Sequence, residues 1–256
     1  MEGMVALVTG AGSGIGEAAA RLLAARGAAV SLVGRPGEDL DVVAQTIRAH
    51  GGDALVAPAD ITDETAVGQA VQSTIERYGR LDTVVANAGI NGTWAGIDRL
   101  SVADFRTTID VNLTGTFITI KAASPHLRRG ASVVVTSSVN GSRVFSNTGA
   151  SAYSASKAGQ VALAKMLAVE LGPRGIRVNV VCPGSTVTGI AANTDIQNED
   201  VRIPVDFPRG DIPLTGSTPA QPQQIAEAIA FLASDAAGHI TGTEMFVDGA
   251  QSLLLG

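Results

Sequence analysis

Seven short apolar runs punctuate the chain, at 4–8, 29–33, 54–57, 83–86, 131–136, 177–181 and 244–247. Most are rich in valine and leucine and do not alternate with polar residues, the pattern of strands covered on both faces. Between them lie stretches with a three-to-four-residue apolar period. Ile15, Ala18, Ala19, Leu22 and Leu23 share one face of 15–26, which Gly27 closes, and Val67, Ala70, Val71, Ile75 and Tyr78 do the same in 63–79, stopped by Gly79. In 151–172 the repeating set is Tyr153, Lys157, Val161, Ala164 and Ala168, ahead of Gly172-Pro173. Further helices are predicted over 39–49, 101–127 and 222–234. This alternation predicts an α/β fold: a single doubly wound parallel sheet of seven strands, with right-handed crossovers and helices on both faces. No repeat or linker divides the chain, so 1–256 reads as one domain. Segment 189–221 breaks the pattern with four prolines and three glycines. It is too long for an ordinary connection and reads as a substrate-binding loop or lid.

Composition sharpens this picture. Of 256 residues, 45% are hydrophobic and only 4% aromatic, as expected of helices packed on a buried parallel sheet. The net charge of −6 and the absence of a basic run argue against nucleic acid as a partner. A single cysteine, Cys182, excludes an intrachain disulfide framework and an all-cysteine metal site; placed just past an apolar run, it is expected to be an inert buried thiol. The three histidines, His50, His126 and His239, show no ligand spacing, so no metal is expected. No apolar stretch approaches the ~20 residues that span a bilayer. The strand-like run beginning at residue 4 leaves no room for a signal peptide ahead of it, so a cytoplasmic protein is the expectation.

The first strand runs into Thr9-Gly10-Ala11-Gly12-Ser13-Gly14-Ile15-Gly16 and then a helix. Glycines there let the backbone turn sharply and let a pyrophosphate approach the helix N-terminus, where unpaired amides favour negative charge. A strand–glycine-loop–helix unit favours a dinucleotide over a plain turn, but by itself says nothing about a reaction.

The spacing Thr-Gly-x-x-x-Gly-x-Gly at 9–16 resembles the cofactor motif of the classical short-chain dehydrogenase/reductase family. The likeness continues in order through Asp60, Asn87-Ala88-Gly89, Asn112, Ser138, Tyr153-x-x-x-Lys157, Pro183-Gly184 and Asp248-Gly249, and covers essentially the whole chain. The resemblance implies a Rossmann-type dinucleotide-binding and catalytic domain that moves a hydride between NAD(P)(H) and a secondary alcohol or ketone. It assigns Tyr153 as acid/base, Lys157 as its tuner and ribose-binding partner, Ser138 as the group that orients the substrate oxygen (Ser137 being the fallback), and Asn112 as the anchor of a proton-relaying water. A phenol with a pKa near ~10 needs roughly 4 kcal/mol of extra preference for the phenolate to exchange protons near neutrality. A lysine one helical turn away, at i and i+4, is placed to supply part of it. Taken alone, the pair reads as a core tyrosine and a snorkelling lysine.

The same likeness marks Gly10, Ser13, Gly14, Ile15, Gly16, Arg35, Asp60, Ile61, Asn87, Ala88, Gly89, Tyr153, Lys157, Pro183, Gly184, Thr186 and Thr188 as cofactor contacts. At the end of the second strand a carboxylate would accept bonds from the adenosine ribose and repel a 2′-phosphate. Gly34-Arg35 stands there instead and favours NADP, although Glu38 and Asp39 weaken the positive field. Asp60 has a second reading, as the start of the next helix beside Thr62. The interval from Ser138 to Tyr153 is wider than usual in the family, a small cost for a surface-reaching loop. Trp94, Asn140, Phe145, Ile190 and Phe207 are candidate walls of the substrate pocket, Trp94 and Phe145 forming an apolar wall for a cyclic or branched substrate. Arg143 or Arg209 could meet a carboxylate or phosphate, although an arginine that simply faces solvent is the commoner case.

The expected partner is thus a small-molecule alcohol or ketone. Relatives pair through helices corresponding to 101–127 and 151–172, so a homodimer or homotetramer is expected. A non-catalytic dinucleotide-binding regulatory protein of the same fold is the alternative, but it would need only the glycine loop. Relatives that epimerise or dehydrate nucleotide sugars tend to be longer.

Overall fold

The computed structural model describes residues 1–145, 148–190, 194–197 and 212–254. Its main sheet contains β1 (Val5–Thr9), β2 (Ala29–Val33), β3 (Ala54–Val56), β4 (Leu81–Ala86), β6 (Leu127–Thr136), β7 (Arg177–Pro183) and β9 (Glu244–Val247), in the order β3-β2-β1-β4-β6-β7-β9. All pairings in it are parallel. The strand order reverses between β1 and β4, and in such sheets the crevice outside the carboxyl ends at the reversal is the place for ligands.

Successive side chains of each strand enter opposite layers. Val5 and Leu7 join a core with α3 (Glu64–Tyr78), α5 (Gly115–Ala123) and α6 (Ser151–Leu171), whereas Ala6 and Val8 join one with α1 (Gly14–Ala25), α2 (Leu40–Ala49) and α7 (Pro222–Ala233). Burial on both sides is why these strands lack alternation in sequence. Asp63 caps α3 by accepting from the amides of Thr65 and Ala66, and Gly79 ends it in the left-handed region at φ 73°.

Three features depart from the sequence reading. The helix predicted over 101–127 is α4 (Val102–Ile109) and α5 joined by a π-helical turn, Asp110–Thr114. It ends in a 3-10 turn at Ser124–His126, where Pro125 stops it, so residue 127 belongs to β6. Two three-residue strands, β5 (Gly92–Trp94) and β8 (Thr194–Ile196), form a separate parallel pair, which ties the start of the 189–221 segment to the chain leaving β4. A four-residue helix, α8 (Gln251–Leu254), follows β9. No helix among the described residues is long and apolar enough to cross a membrane.

Candidate active site

A cleft of about 980 Å³ opens at the carboxyl ends of the strands. Its floor begins with the glycine loop. Gly10 and Gly14 have φ of 64° and 56°, a region that disfavours side chains. A Cβ on Gly10 would come 2.9 Å from the Cα of Ala88, and one on Gly16 would run into the carbonyl of Gly10. The loop therefore packs tightly only as glycine. Ser13, the N-cap of α1, makes no side-chain cap bond, so the first amides of the helix keep no side-chain acceptor. This is a cradle that fits a phosphate group.

The predicted cofactor contacts converge on the cleft. Gly10, Ser13, Gly14 and Ile15 line it, as do Ala88, Gly89 and Arg35; Gly16 lies directly behind. Asn87 also lines it while bracing the sheet: its Nδ2 donates to the Thr9 carbonyl, and its amide donates to Thr9 Oγ1. Asp60 and Ile61 line the cleft too. Asp60 Oδ1 accepts from both the amide and the hydroxyl of Thr62, bonds that hold its pKa below the usual carboxylate value. The opposite wall is Pro183, Gly184, Thr186 and Thr188. Thr188 Cγ2 stands 3.3 Å from where a Cβ on Gly14 would be, so this wall touches the glycine loop.

At the deep end sit Ser138, Tyr153 and Lys157, all buried. Ser138 follows β6 and caps the 3-10 turn Val139–Gly141; Tyr153 and Lys157 come from the first two turns of α6. The two serines separate cleanly. Ser137 Oγ donates to the carbonyl of Lys157 at 2.9 Å, whereas the Ser138 side chain hydrogen-bonds Tyr153. Burial holds the Tyr153 phenol above its ordinary pKa, and the Ser138 bond pulls it down. Lys157, pushed down to about 8 by burial, donates to the Thr136 carbonyl at 3.0 Å with Nζ 5.6 Å from the Tyr153 ring centre. In this arrangement the lowering of the phenol comes from the serine; the lysine charge is itself disfavoured by burial and is aimed at a carbonyl.

Asn112 does not line the cleft. It lies fully buried behind Gly89 on the π turn, where its Oδ1 accepts from the Ile90 amide at 2.8 Å and its Nδ2 donates to the Ile90 carbonyl and to Ser156 Oγ. A Cβ on Gly89 would meet Asn112 Oδ1 at 3.0 Å and Lys157 Nζ at 3.5 Å, which places both groups against that glycine.

Trp94, Asn140 and Ile190 line the cleft, with the Trp94 ring tilted against Tyr153 at 6.5 Å. Phe145 does not: it is 68% exposed. Arg143 is also diverted, stacked over Phe246 at 3.5 Å and donating to Ser252 Oγ. Phe207 and Arg209 lie outside the described residues. Sequence reading missed Ile90, Asn91, Val144 and Gln251, which also line the cleft. Cys182 is buried under this floor, its thiol pushed up to about 12 by burial, so it stays protonated at neutral pH.

A family model described as "Enoyl-(Acyl carrier protein) reductase" matches residues 10–250. The chain belongs to the short-chain dehydrogenase/reductase family. It is 42% identical over 249 residues to a cis-4-hydroxycyclohexanecarboxylate dehydrogenase of Sinomonas cyclohexanicum, covering 96% of this chain and 95% of that one. A solved 3-ketoacyl-ACP reductase from Sinorhizobium meliloti 1021 superposes with a TM-score of 0.93 at 46% identity, covering 98% and 99% of the two chains. A short-chain dehydrogenase from Burkholderia cenocepacia J2315, solved in complex with NADP, superposes with a TM-score of 0.84 at 35% identity, with 97% of each chain covered. The chain is an oxidoreductase that transfers a hydride between a nicotinamide nucleotide and a CH–OH or ketone carbon.

Proposed function

We propose that the reaction runs through Ser138, Tyr153, Lys157 and Asn112 on a cyclic or branched secondary alcohol or ketone. The observation that carries this reading is the convergence of Ser138 and Tyr153, hydrogen-bonded to each other, at the deep end of a cleft whose other end is the glycine cradle. The nicotinamide nucleotide, when bound, supplies or takes the hydride. Its phosphates would rest on Gly10, Ser13, Gly14, Ile15 and Gly16, its adenine between Asp60 and Ile61, and its ribose and carboxamide against Lys157, Asn87, Ala88, Gly89, Pro183, Gly184, Thr186 and Thr188.

For the chain's own residues, the chemistry is proton handling. The Ser138 hydroxyl donates to the substrate oxygen and fixes it beside the Tyr153 hydroxyl. Tyr153 gives its proton to that oxygen in reduction and takes it back in oxidation. The Lys157 ammonium stabilises the phenolate left behind, and Asn112 holds the Gly89–Ile90 turn on which the relay of protons depends. Trp94 forms an apolar wall over Tyr153, in keeping with the cyclic substrate in the name of the Sinomonas relative.

The finer cofactor choice in this proposal is NADP. No acid is present at Gly34, and the Arg35 side chain, on the cleft wall and 62% exposed, is near enough to turn toward a 2′-phosphate. Glu38 opposes it, pairing with Arg35 Nε at 3.1 Å and filling the space a Cβ on Gly34 would take. We further read 1–256 as one catalytic domain with 189–221 as its substrate-side lid, given that Gly189 and Ile190 reach the cleft. A cytoplasmic homodimer or homotetramer fits the exposed apolar side chains Phe117 on α5 and Met166 and Val169 on α6.

The test is a panel of alcohols with NAD and NADP, read by absorbance of the reduced nucleotide, run on wild type and Tyr153→Phe. Loss of a general acid should lower kcat by about 10²–10⁴-fold. Turnover surviving in Tyr153→Phe would refute the assignment.

A further inference from the structure

Gln160 sits three residues past Lys157 on α6, facing the same way as Tyr153 and Lys157. It is fully buried. A long polar side chain in that position needs a reason, because an unpaired buried amide is costly. The reason lies in the π turn. An added residue in the helical ladder leaves carbonyls without their regular partners. In this chain Gln160 Nε2 donates to the Asn112 carbonyl at 2.7 Å and to Thr116 Oγ1 at 2.9 Å, while Thr116 Oγ1 itself donates to the same carbonyl at 2.7 Å. Both protons of the amide are used. Flipping the amide would put its oxygen against the Asn112 carbonyl, so the orientation is fixed.

The arrangement leaves a defect: Gln160 Oε1 is buried with no hydrogen-bond partner among the described residues. The hydrogen bonds of this side chain are all made by its other end, the amide nitrogen. That other end grips the backbone of Asn112, whose side chain makes three bonds, two of them to the Ile90 backbone and one to Ser156. Ser156 Oγ in turn donates to the Tyr153 carbonyl.

We propose that Gln160 is a positioning residue: by clamping the carbonyl of Asn112 it holds the π turn open and so fixes Asn112 against the Gly89–Ile90 turn beside Lys157. This rests on the roles assigned above to Asn112 and Lys157. One consequence is specific to this chain. The Asn112 carbonyl already accepts two hydrogen bonds, so the Asn112 atom left to serve a proton relay beside Gly89 is the side-chain Oδ1.

Two variants test it. Gln160→Met keeps the volume and removes both donors. Gln160→Glu keeps the shape and donates to the Asn112 carbonyl only while protonated. Amide exchange at Ile90 reads the grip of Asn112 without any turnover; reduction of cyclohexanone by NADPH reads its effect on the reaction. In Gln160→Met the Ile90 amide should exchange at least tenfold faster than in wild type, and kcat should fall about tenfold with KM for NADPH unchanged. In Gln160→Glu kcat should match wild type at low pH and fall to the Met level as pH rises, a profile that a purely structural loss would not produce. Unchanged Ile90 exchange in Gln160→Met overturns the proposal, as does a Gln160→Glu profile parallel to wild type. If wild type itself leaves cyclohexanone untouched, the substrate reading fails and Ile90 exchange alone decides for or against Gln160.

Discussion

A lysine buried in the floor of a cleft should weaken the fold it belongs to. Lys157 has its pKa pushed from 10.5 to about 8, first by burial. Below pH 8 it carries its charge in both the folded and unfolded states, and the folded state bears the full cost of that buried charge. Between pH 8 and 10.5 the unfolded chain holds the proton more tightly, so stability rises with pH across that window. At about 1.4 kcal/mol per pH unit of displacement, the whole effect is about 3 kcal/mol, of which about 1.3 kcal/mol should appear between pH 7 and 9. Two neighbours act in the opposite sense. The raised pKa values of Cys182 and Tyr153 make stability fall once their unfolded counterparts ionise, above pH 9 and pH 10. The informative quantity is therefore a difference. Urea unfolding of nucleotide-free wild type and Lys157→Met, at pH 7, 8 and 9, holds those neighbours common to both. Lys157→Met should be the more stable protein at pH 7, by up to about 3 kcal/mol, and its advantage should shrink by about 1.3 kcal/mol by pH 9. A difference independent of pH over that range would refute the reasoning, since it would mean that burial does not disfavour the ammonium.

Three further outcomes follow from the site. Gly89→Ala should place a methyl 3.0 Å from Asn112 Oδ1 and 3.5 Å from Lys157 Nζ, lowering kcat about tenfold through displacement of both groups; steady-state kinetics at saturating nucleotide would expose the error if kcat held. Arg35→Ala should cost about 10- to 100-fold in kcat/KM for NADPH, the worth of a charge-assisted bond, and leave NADH unaffected. Equal losses for both nucleotides would remove Arg35 from phosphate recognition. Glu38→Gln should act in reverse, releasing Arg35 from its pair and improving KM for NADPH severalfold, measured in the same assay.

The fold was legible because strands buried on both faces read as unbroken Val- and Leu-rich runs, and helices such as Glu64–Tyr78 carry their period and stop signal openly. What escaped was local. Strands of three residues such as Gly92–Trp94 are too short for any periodicity, and the π turn at Asp110–Thr114 sits inside a stretch whose helical pattern is otherwise continuous. In the site, spaced motifs located the glycine loop, Ser138, Tyr153 and Lys157, since each lies at a strand end or on one helix face. Side-chain direction was not legible. Trp94, held on β5, turns into the cleft and Phe145 toward solvent. Gln160 left a usable trace: a polar residue on the apolar face of α6, three positions beyond Lys157.

Cys182 gives the molecule a built-in clock. It is the sole thiol in the sequence, it lies in β7 between β6 and the edge strand β9, and no part of it reaches solvent. Alkylating reagents can find it only when β7 parts from β6 and β9, and its thiolate forms only then. The rate at which the native enzyme is labelled therefore counts openings of this edge of the sheet, with no mutation, dye or denaturant required. Added nucleotide should slow that count in proportion to how tightly it binds, turning one silent residue into a gauge of cofactor affinity.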